Sequence, residues 1–260
     1  MKKYLVIGNP IKHSLSPNLH NHWFKENNIN AFYDKKKLDD SDVKEIINDV
    51  KKGKLEGINI TVPFKKTVMP FVDELTPLAK KTQSVNTIFK KDNKVIGDNT
   101  DVGGFEKALK HINYTIKGKK VFILGAGGVT SSVITALKRL EVAEIILSNR
   151  TKQKAEDLRK IYTDIKIIEW GQNTDFDMII NTTSLGLKKN DEIKLNFSNM
   201  KPDKLFYDIV YNPSKTNFLL TGEKLGNKIE NGKMMFIYQA QLAFKIWHNI
   251  LPNINNKLLD

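Results

Sequence analysis

Two residues of opposite charge, Lys65 and Asp101, are candidates for acid–base chemistry. Lys65 follows an apolar run, and Asp101 begins a predicted helix. Oxidation of a secondary alcohol needs a base for the hydroxyl proton while a hydride leaves to a nicotinamide. A lysine beside a carboxylate can move that proton, provided that burial lowers its pKa from about 10. Because lysine is so frequent in this chain, a solvated surface position for Lys65 is the alternative.

Small polar residues stand at or just past the ends of short apolar runs, where open α/β sheets bind their ligands. Ser14 and Ser16, beside a predicted helix start, could hold a carboxylate through hydroxyl and backbone N–H groups. Asn59 and Thr61, two residues apart on one face of a predicted strand, could bind sugar-like hydroxyls. Asn86 belongs to a third cluster, with Asp101. The local alternatives are that Ser16 caps the helix and that Asn59 and Thr61 bond nearby backbone.

A glycine turn follows the continuous apolar run at residues 121–124 and precedes a predicted helix that ends near Leu140. This is the setting in which a glycine fingerprint binds a dinucleotide. Gly125 permits the tight turn, and Gly127 lets the backbone approach a pyrophosphate at the helix N-terminus. Thr130 occupies the third small position, so the match is incomplete, and a plain glycine-rich turn is the alternative.

The end of the next predicted strand indicates which cofactor would bind. Enzymes that use NAD commonly place an acidic residue there to hold the ribose 2′-hydroxyl. This chain has Arg150 instead, with Lys154 a turn later. Arginine can grip a 2′-phosphate with its fork of donors, so the pair favours NADP. The alternative is that Arg150 faces water at the strand end.

The elements that must position these residues follow an alternating pattern that predicts an α/β fold. Residues 102–231 are predicted to form a doubly wound, Rossmann-type domain. Predicted strands cover residues 4–7, 32–36, 57–62, 85–89, 94–97, 121–124, 144–147, 166–168, 178–180 and 205–208. Predicted helices cover residues 16–28, 40–51, 101–111, 151–161 and 233–250, besides the helix after the glycine turn.

Composition excludes several functional classes. The chain has 260 residues, a net charge of +13 and no cysteine, so disulfides and thiolate chemistry are absent. Almost all of the positive charge is scattered lysine, which is more typical of a solvated surface than of a nucleic-acid footprint. No apolar run approaches the roughly 20 residues that span a bilayer, and the one after Lys2 and Lys3 is too short for a signal peptide. The histidines lack ligand spacing, so we expect no metal site, and we expect a cytoplasmic location.

Blocks along nearly the whole chain resemble the shikimate dehydrogenase family. In the first half they are GNPIKHSLSPNLHN at residues 8–21, GINITVPFK at 57–65, VNT at 85–87 and GDNTD at 97–101. In the second half they are NRT at 149–151, NTTSLG at 181–186, DIVYNP at 208–213, NG at 231–232 and YQ at 238–239. The first block and the block ending in Lys65 are the most specific.

The resemblance implies a reversible, NADPH-dependent reduction of 3-dehydroshikimate to shikimate, in chorismate and aromatic amino acid biosynthesis. It implies that Lys65 is the proton acceptor, paired with Asp101. The residues implied to contact the substrate are Ser14, Ser16, Asn59, Thr61, Asn86, Asp101, Tyr211 and Gln239. Those implied to bind the cofactor are Gly125, Ala126, Gly127, Gly128 and Val129 at the pyrophosphate, Asn149, Arg150, Thr151 and Lys154 at the adenosine end, and Ile209 and Gly232 near the nicotinamide.

The resemblance further implies a discontinuous substrate domain, residues 1–101 plus 232–260, with the active site in the cleft between it and the NADP domain. We expect a monomer or homodimer that binds neither nucleic acid nor membrane. Three rivals remain: a quinate/shikimate dehydrogenase with relaxed cofactor use, a catalytically silent NADP-binding regulator, and a short-chain dehydrogenase with a Tyr-x-x-x-Lys pair. That spacing occurs at Tyr33/Lys37, Tyr162/Lys166 and Tyr211/Lys215.

Overall fold

The computed structural model describes residues 1–197 and 202–254, and these form two units. Unit 1 comprises Met1–Gly104 and the chain from Ile237 onward, and unit 2 comprises Phe105–Phe236. Both junctions lie a few residues beyond the predicted ones at 101/102 and 231/232. Each falls inside a continuous helix, so no change in composition marks it. Residues 255–260, which the sequence assigns to the substrate domain, lie outside the described residues.

Unit 1 contains a six-stranded mixed sheet. Its strands and helices are β1 (Lys2–Gly8), α1 (Ser16–Glu26), β2 (Ala31–Lys37), α2 (Val43–Lys51), β3 (Gly57–Ile60), β4 (Glu74–Leu75), α3 (Pro77–Thr82), β5 (Thr87–Lys91), β6 (Lys94–Asp98) and the start of α4 (Asp101–His111). The strand order is β2-β1-β3-β5-β6-β4. Strands β1, β2 and β3 are parallel, and β5 runs antiparallel to both β3 and β6.

Periodicity explains α2, whose apolar residues Val43, Ile46, Ile47 and Val50 form one buried face. Two predictions nearby were wrong. The third strand ends at Ile60 rather than residue 62, so Thr61 lies just after the strand instead of on a face with Asn59. Ser16 does not cap α1, because the helix already includes Ser16 and its N-cap residue has no side-chain cap bond.

Unit 2 contains a six-stranded, wholly parallel sheet. Its elements are β7 (Lys120–Leu124), α5 (Thr130–Arg139), β8 (Glu144–Ser148), α6 (Lys152–Ile161), β9 (Lys166–Ile168), β10 (Met178–Asn181), β11 (Leu205–Asp208), α7 (Asn217–Lys224) and β12 (Lys228–Glu230). The strand order is β12-β11-β10-β7-β8-β9, which is the 3-2-1-4-5-6 order of the Rossmann fold. Helix α8 (Lys233–His248) runs through the second junction.

The strands β7 and β10 lie at the centre of this sheet and are buried on both faces, which explains their unbroken apolar runs. The order of the strands reverses between β7 and β10, and ligands of such sheets bind at that point, beyond the carboxyl ends. Four elements, β4, α3, α7 and β12, were not predicted, because each is at most eight residues long and falls short of the window of roughly 11 to 18 residues over which periodicity is read. In the two described stretches, no helix combines the length and apolarity that crossing a membrane requires.

Candidate active site

Lys65 and Asp101 form a buried ion pair in unit 1. The Lys65 Nζ atom lies 2.6 Å from Asp101 Oδ2. Lys65 is 8% exposed and Asp101 5% exposed, so the surface alternative for Lys65 was wrong. Lys65 stands in the turn after β3, and Asp101 is the first residue of α4, where the helix dipole favours a negative charge. The pair is therefore both shielded from water and fixed in distance.

Asn86 fixes the orientation of the Asp101 carboxylate. Its Nδ2 donates to Asp101 Oδ1 over 2.8 Å, which leaves Oδ2 for Lys65. Its Oδ1 accepts from the backbone N–H of Thr100 over 2.7 Å, and its Nδ2 also lies 3.3 Å from Gln239 Oε1. The backbone N–H of Val85 donates to the Lys65 carbonyl over 2.9 Å, so both partners of the ion pair are held from the same short segment.

Asn59 is buried and its amide is committed to neighbouring protein groups. Its Nδ2 donates to the Asn86 carbonyl and to Thr87 Oγ1, each over 3.1 Å. Its Oδ1 accepts from the Tyr33 hydroxyl over 2.7 Å. The Ser16 side chain is also hydrogen-bonded to Tyr33. Tyr33 thus joins two predicted substrate residues, a position that sequence reasoning missed because the partners are far apart in the chain.

Ser14 and Thr61 are half-buried at the same edge of the unit 1 sheet. Ser14 Oγ accepts from the N–H of Ser16 over 3.3 Å, and the N–H of Thr61 donates to the Ile7 carbonyl over 2.9 Å. A Cβ on Gly8 would lie 2.4 Å from Thr61 Cγ2, so only glycine leaves room for Thr61 there.

His20 lies behind these residues and is fully buried. Its ring stacks on Tyr33 with centroids 4.3 Å apart and an interplanar angle of 2°. Neither ring nitrogen has a hydrogen-bond partner within residues 1–197 and 202–254. Burial, with a smaller contribution from the nearby His248, lowers the pKa of His20 to about 3. His20 is therefore a neutral core residue that supports Tyr33.

The glycine turn of unit 2 follows β7 and leads into α5, as predicted. Gly125 adopts φ 104°, which favours glycine, and its N–H donates to the Ser148 carbonyl over 2.8 Å. The Ala126 N–H donates to Asn149 Oδ1 over 2.9 Å, which ties the turn to the end of β8. Gly127 is exposed, and the nearest atom that a Cβ there would meet among the described residues, its two chain neighbours aside, is the Thr182 carbonyl oxygen at 3.7 Å. Gly128 and Val129, half-buried, complete the turn.

Packing within the protein does not require a glycine at position 127. A pyrophosphate that approaches the backbone closely does require the open space that this glycine leaves. Arg150 and Lys154 are exposed just beyond β8, and Thr151 lies between them. Among the described residues, neither cation is paired with a carboxylate. By contrast, Arg159, which lies on helix α6 together with Lys154, is paired with a glutamate 2.6 Å away. Two unpaired cations and an open glycine turn fit a phosphorylated dinucleotide.

Ile209 and Gly232 are brought into contact within unit 2. A Cβ on Gly232 would lie only 2.0 Å from the Ile209 carbonyl oxygen, so no other residue fits there. Tyr211 is half-buried in unit 2, and its ring stacks on Phe236 with centroids 4.6 Å apart. Gln239, by contrast, belongs to unit 1.

Comparisons with known proteins agree with this geometry. The model for the shikimate dehydrogenase substrate binding domain matches residues 6–88, and that for shikimate/quinate 5-dehydrogenase matches residues 106–188. A shikimate dehydrogenase (NADP(+)) of Pelagibacter ubique is 55% identical over 259 residues, covering 100% of this chain and 98% of the relative. The chain belongs to the shikimate dehydrogenase family.

Solved structures of the shikimate dehydrogenase family have the same fold. The Aquifex aeolicus shikimate dehydrogenase has a TM-score of 0.90 and 35% identity, covering 97% of this chain and 94% of that one. The Thermus thermophilus enzyme, solved in complex with NADP(H) and shikimate, has a TM-score of 0.90 and 28% identity, covering 97% and 95%. The relationship therefore extends over both units.

Membership of the shikimate dehydrogenase family makes the short-chain dehydrogenase alternative wrong, and the structure explains why the spacing misleads. The Tyr33 hydroxyl is buried and hydrogen-bonded to Asn59, and the Tyr162 hydroxyl is buried and hydrogen-bonded to Ser131. Lys215 pairs with a glutamate over 2.8 Å. As for metals, no group of three acidic or histidine side chains in residues 1–197 and 202–254 could hold one.

Asp208, within the family block at residues 208–213, is a buried carboxylate to which the sequence assigned no role. Its Oδ1 accepts from Asn181 Nδ2 over 3.0 Å and from the Val210 N–H over 2.9 Å, and its Oδ2 accepts from Thr216 over 2.6 Å. Burial raises the pKa of Asp208 to about 6, although these hydrogen bonds oppose the rise. The carboxylate anchors the segment that carries Ile209.

Proposed function

We propose that the chain is a shikimate dehydrogenase that reversibly reduces 3-dehydroshikimate to shikimate with NADPH, in chorismate and aromatic amino acid biosynthesis. The observation that carries this proposal is the buried 2.6 Å pair of Lys65 and Asp101, in a chain 55% identical to an NADP-dependent relative. A silent NADP-binding regulator has no need of such a pair, since burying two charges is costly unless they are used or well compensated.

Lys65 would carry the proton of the reaction. When bound, NADPH supplies the hydride for the substrate's ketone carbon. Lys65 Nζ would give a proton to the ketone oxygen, and in the reverse direction it would accept the hydroxyl proton. Asp101 would hold the ammonium group in place and balance its charge. Asn86 would keep the carboxylate turned toward Lys65.

The substrate's other groups would be bound by polar residues. We propose that Ser14 and Ser16 hold the carboxylate, because two hydroxyls and a helix start lie together there. Direct substrate contacts would come from Thr61, Asn86, Asp101, Tyr211 and Gln239. Asn59 would act by holding Tyr33 and the segment around Asn86, since its amide is already bonded to both.

The cofactor would be bound by unit 2. The turn of Gly125, Ala126, Gly127, Gly128 and Val129 would receive the pyrophosphate. Asn149, Thr151 and Lys154 would hold the adenosine end, with Arg150 on the 2′-phosphate. Ile209 and Gly232 would lie beside the nicotinamide. We also propose that the protein works in the cytoplasm as a monomer or homodimer, without nucleic-acid or membrane partners.

The proposal is tested by the rise in reduced-nicotinamide absorbance with purified protein, crossing shikimate or quinate with NADP or NAD. Fast reduction with shikimate and NADP alone is the expected result. Comparable rates with quinate or with NAD would instead indicate the quinate/shikimate enzyme with relaxed cofactor use. A folded protein that binds NADP but reduces it in no pairing would be the silent regulator.

A further inference from the structure

The hydroxyl of Thr130 lies inside the glycine turn. Helix α5 begins at Thr130, and its N-cap residue, Val129, makes no side-chain cap bond. The Thr130 side chain is fully buried, and its Oγ1 accepts from the Gly127 N–H over 3.0 Å. The same Oγ1 lies 3.1 Å from the Gly125 carbonyl, to which it can donate. The Thr130 side chain is therefore within hydrogen-bond distance of the backbone of both Gly125 and Gly127.

A second hydroxyl reaches the turn from the loop after β10. Thr182 is 4% exposed, and its Oγ1 lies 2.9 Å from Thr130 Oγ1. Thr182 Oγ1 also lies 2.9 Å from the Leu124 carbonyl oxygen, an alternative acceptor for its one proton, and the Thr182 N–H donates to that oxygen over 2.8 Å. The two threonines thus join the neighbouring strands β7 and β10 at the point where the strand order reverses.

Gly125 shows how closely this loop approaches the turn. A Cβ on Gly125 would lie 2.7 Å from Thr183 Cγ2 and 2.9 Å from Thr182 Oγ1, whereas the space beside Gly127 is open. One side of the turn is therefore pressed against the loop after β10, and the other side is free for a ligand. Without any cofactor, the Gly127 N–H donates to Thr130 Oγ1, and the Gly125 carbonyl lies 3.1 Å from the hydroxyl oxygens of both threonines, either of which can donate its one proton to it.

We propose that Thr130 and Thr182 are positioning residues, a buried hydroxyl pair that holds the glycine turn in its cofactor-binding shape before the cofactor arrives. The inference rests on the proposed function, because it concerns the site for NADP. A turn that is already ordered loses less conformational entropy on binding, so the pair raises affinity without touching the cofactor. Branched Thr130, which departs from the glycine fingerprint, is therefore part of the site.

The test uses Thr130→Val, which keeps the branched shape and removes the hydroxyl, and Thr130→Ser, which keeps the hydroxyl. We expect Thr130→Val to raise the NADP dissociation constant by roughly three- to tenfold, the range for the net contribution of about one hydrogen bond. Thr130→Ser should restore binding to near the wild-type value. Calorimetric titration of NADP measures the constant directly, and the KM for shikimate should stay unchanged.

The matched control is Thr135→Val, because Thr135 is a fully buried threonine on the same helix whose hydroxyl bonds Tyr162 instead. Thr182→Val should weaken NADP binding as Thr130→Val does. The Thr130→Val, Thr182→Val double variant should lose less than the product of the two factors, because the hydroxyls act as a pair. If Thr130→Val does not fold, Thr182→Val and Thr130→Ser carry the same comparison.

Equal NADP affinity in Thr130→Val, Thr135→Val and the wild type would overturn the inference and leave the proposed function intact. Equal loss in Thr130→Val and Thr135→Val would also overturn it, since the effect would then come from the stability of the helix. A wild-type protein that binds no NADP at all would overturn the proposed function together with the inference.

Discussion

The charged residues of the candidate site differ in burial and pairing between the two units. In unit 1, Lys65 and Asp101 are buried and bonded to each other, and Asn86 holds the carboxylate. In unit 2, Arg150 and Lys154 are exposed, and no carboxylate of the described residues pairs with either. The first arrangement is complete without a ligand, whereas the second leaves its charges for a ligand to satisfy.

The functions that we propose for the two sites explain the difference. A proton transfer needs a fixed distance and little water, and charges buried for that purpose must be paired. A phosphate brings its own charge, so the cations that grip it must be free when it arrives. Substitution of Lys65 or Asp101 should therefore lower turnover by a factor of roughly ten or more, whereas substitution of Arg150 should weaken cofactor binding.

The largest expected effect is that of Lys65→Ala. Removal of the proton-transferring group should lower kcat by roughly 10²–10⁴-fold, while shikimate and NADP still bind. Steady-state kinetics and direct titration separate the two effects. The control is Lys66→Ala, which removes the exposed neighbouring lysine. If turnover in Lys65→Ala stays within a few-fold of the wild-type value, Lys65 is not the group that transfers the proton.

Asp101→Asn should lower both turnover and stability. The amide keeps the shape but leaves Lys65 as a buried, uncompensated charge, which costs on the order of 3–5 kcal/mol when a buried pair is broken. Urea unfolding measures the loss, and kcat should fall by at least roughly tenfold. The exposed Asp92→Asn is the control. An Asp101→Asn protein with wild-type stability would show that the pair is not buried as described.

Arg150→Ala tests whether the exposed cations of unit 2 contribute to the affinity for NADP. Loss of a charge-assisted hydrogen bond to the 2′-phosphate should weaken NADP binding by about ten- to a hundredfold, with little effect on NAD. The control is Arg159→Ala, which removes an arginine already paired with a glutamate 2.6 Å away. Equal weakening of NADP and NAD would mean that Arg150 does not read the phosphate.

The smallest effect at neutral pH is expected at His20, which packs on Tyr33 in unit 1. The unfolded chain protonates this imidazole below about pH 6.5, but the folded chain, in which burial lowers its pKa to about 3, does not. Between those values the unfolded state binds more protons, so stability falls with falling pH by up to about 1.4 kcal/mol per pH unit.

His20→Phe should remove that share of the acid dependence, because a phenylalanine ring can keep the stacking on Tyr33 and binds no proton. Urea unfolding from pH 7 to pH 4 measures the slope, with the exposed His111→Gln as control. The same slope in His20→Phe and wild type would show that another group causes the acid sensitivity of unit 1.

The sequence by itself determined the features that depend on local pattern. Periodicity predicted α2 and the central strands, since apolar spacing follows directly from the geometry of each element. The glycine turn was recognisable because Gly125 must adopt a positive φ between a strand and a helix. Lys65 and Asp101 were singled out by chemical type and by the family resemblance of the blocks around them.

Only the tertiary structure decided what depends on which distant residues meet. It showed that Lys65 is buried, that Tyr33 joins Ser16 to Asn59, and that Thr130 completes the glycine turn with Thr182. These partners are separated by tens of residues, and burial is a property of the packed unit rather than of any local segment. Composition made every lysine look like a surface residue, and only packing distinguished the buried one.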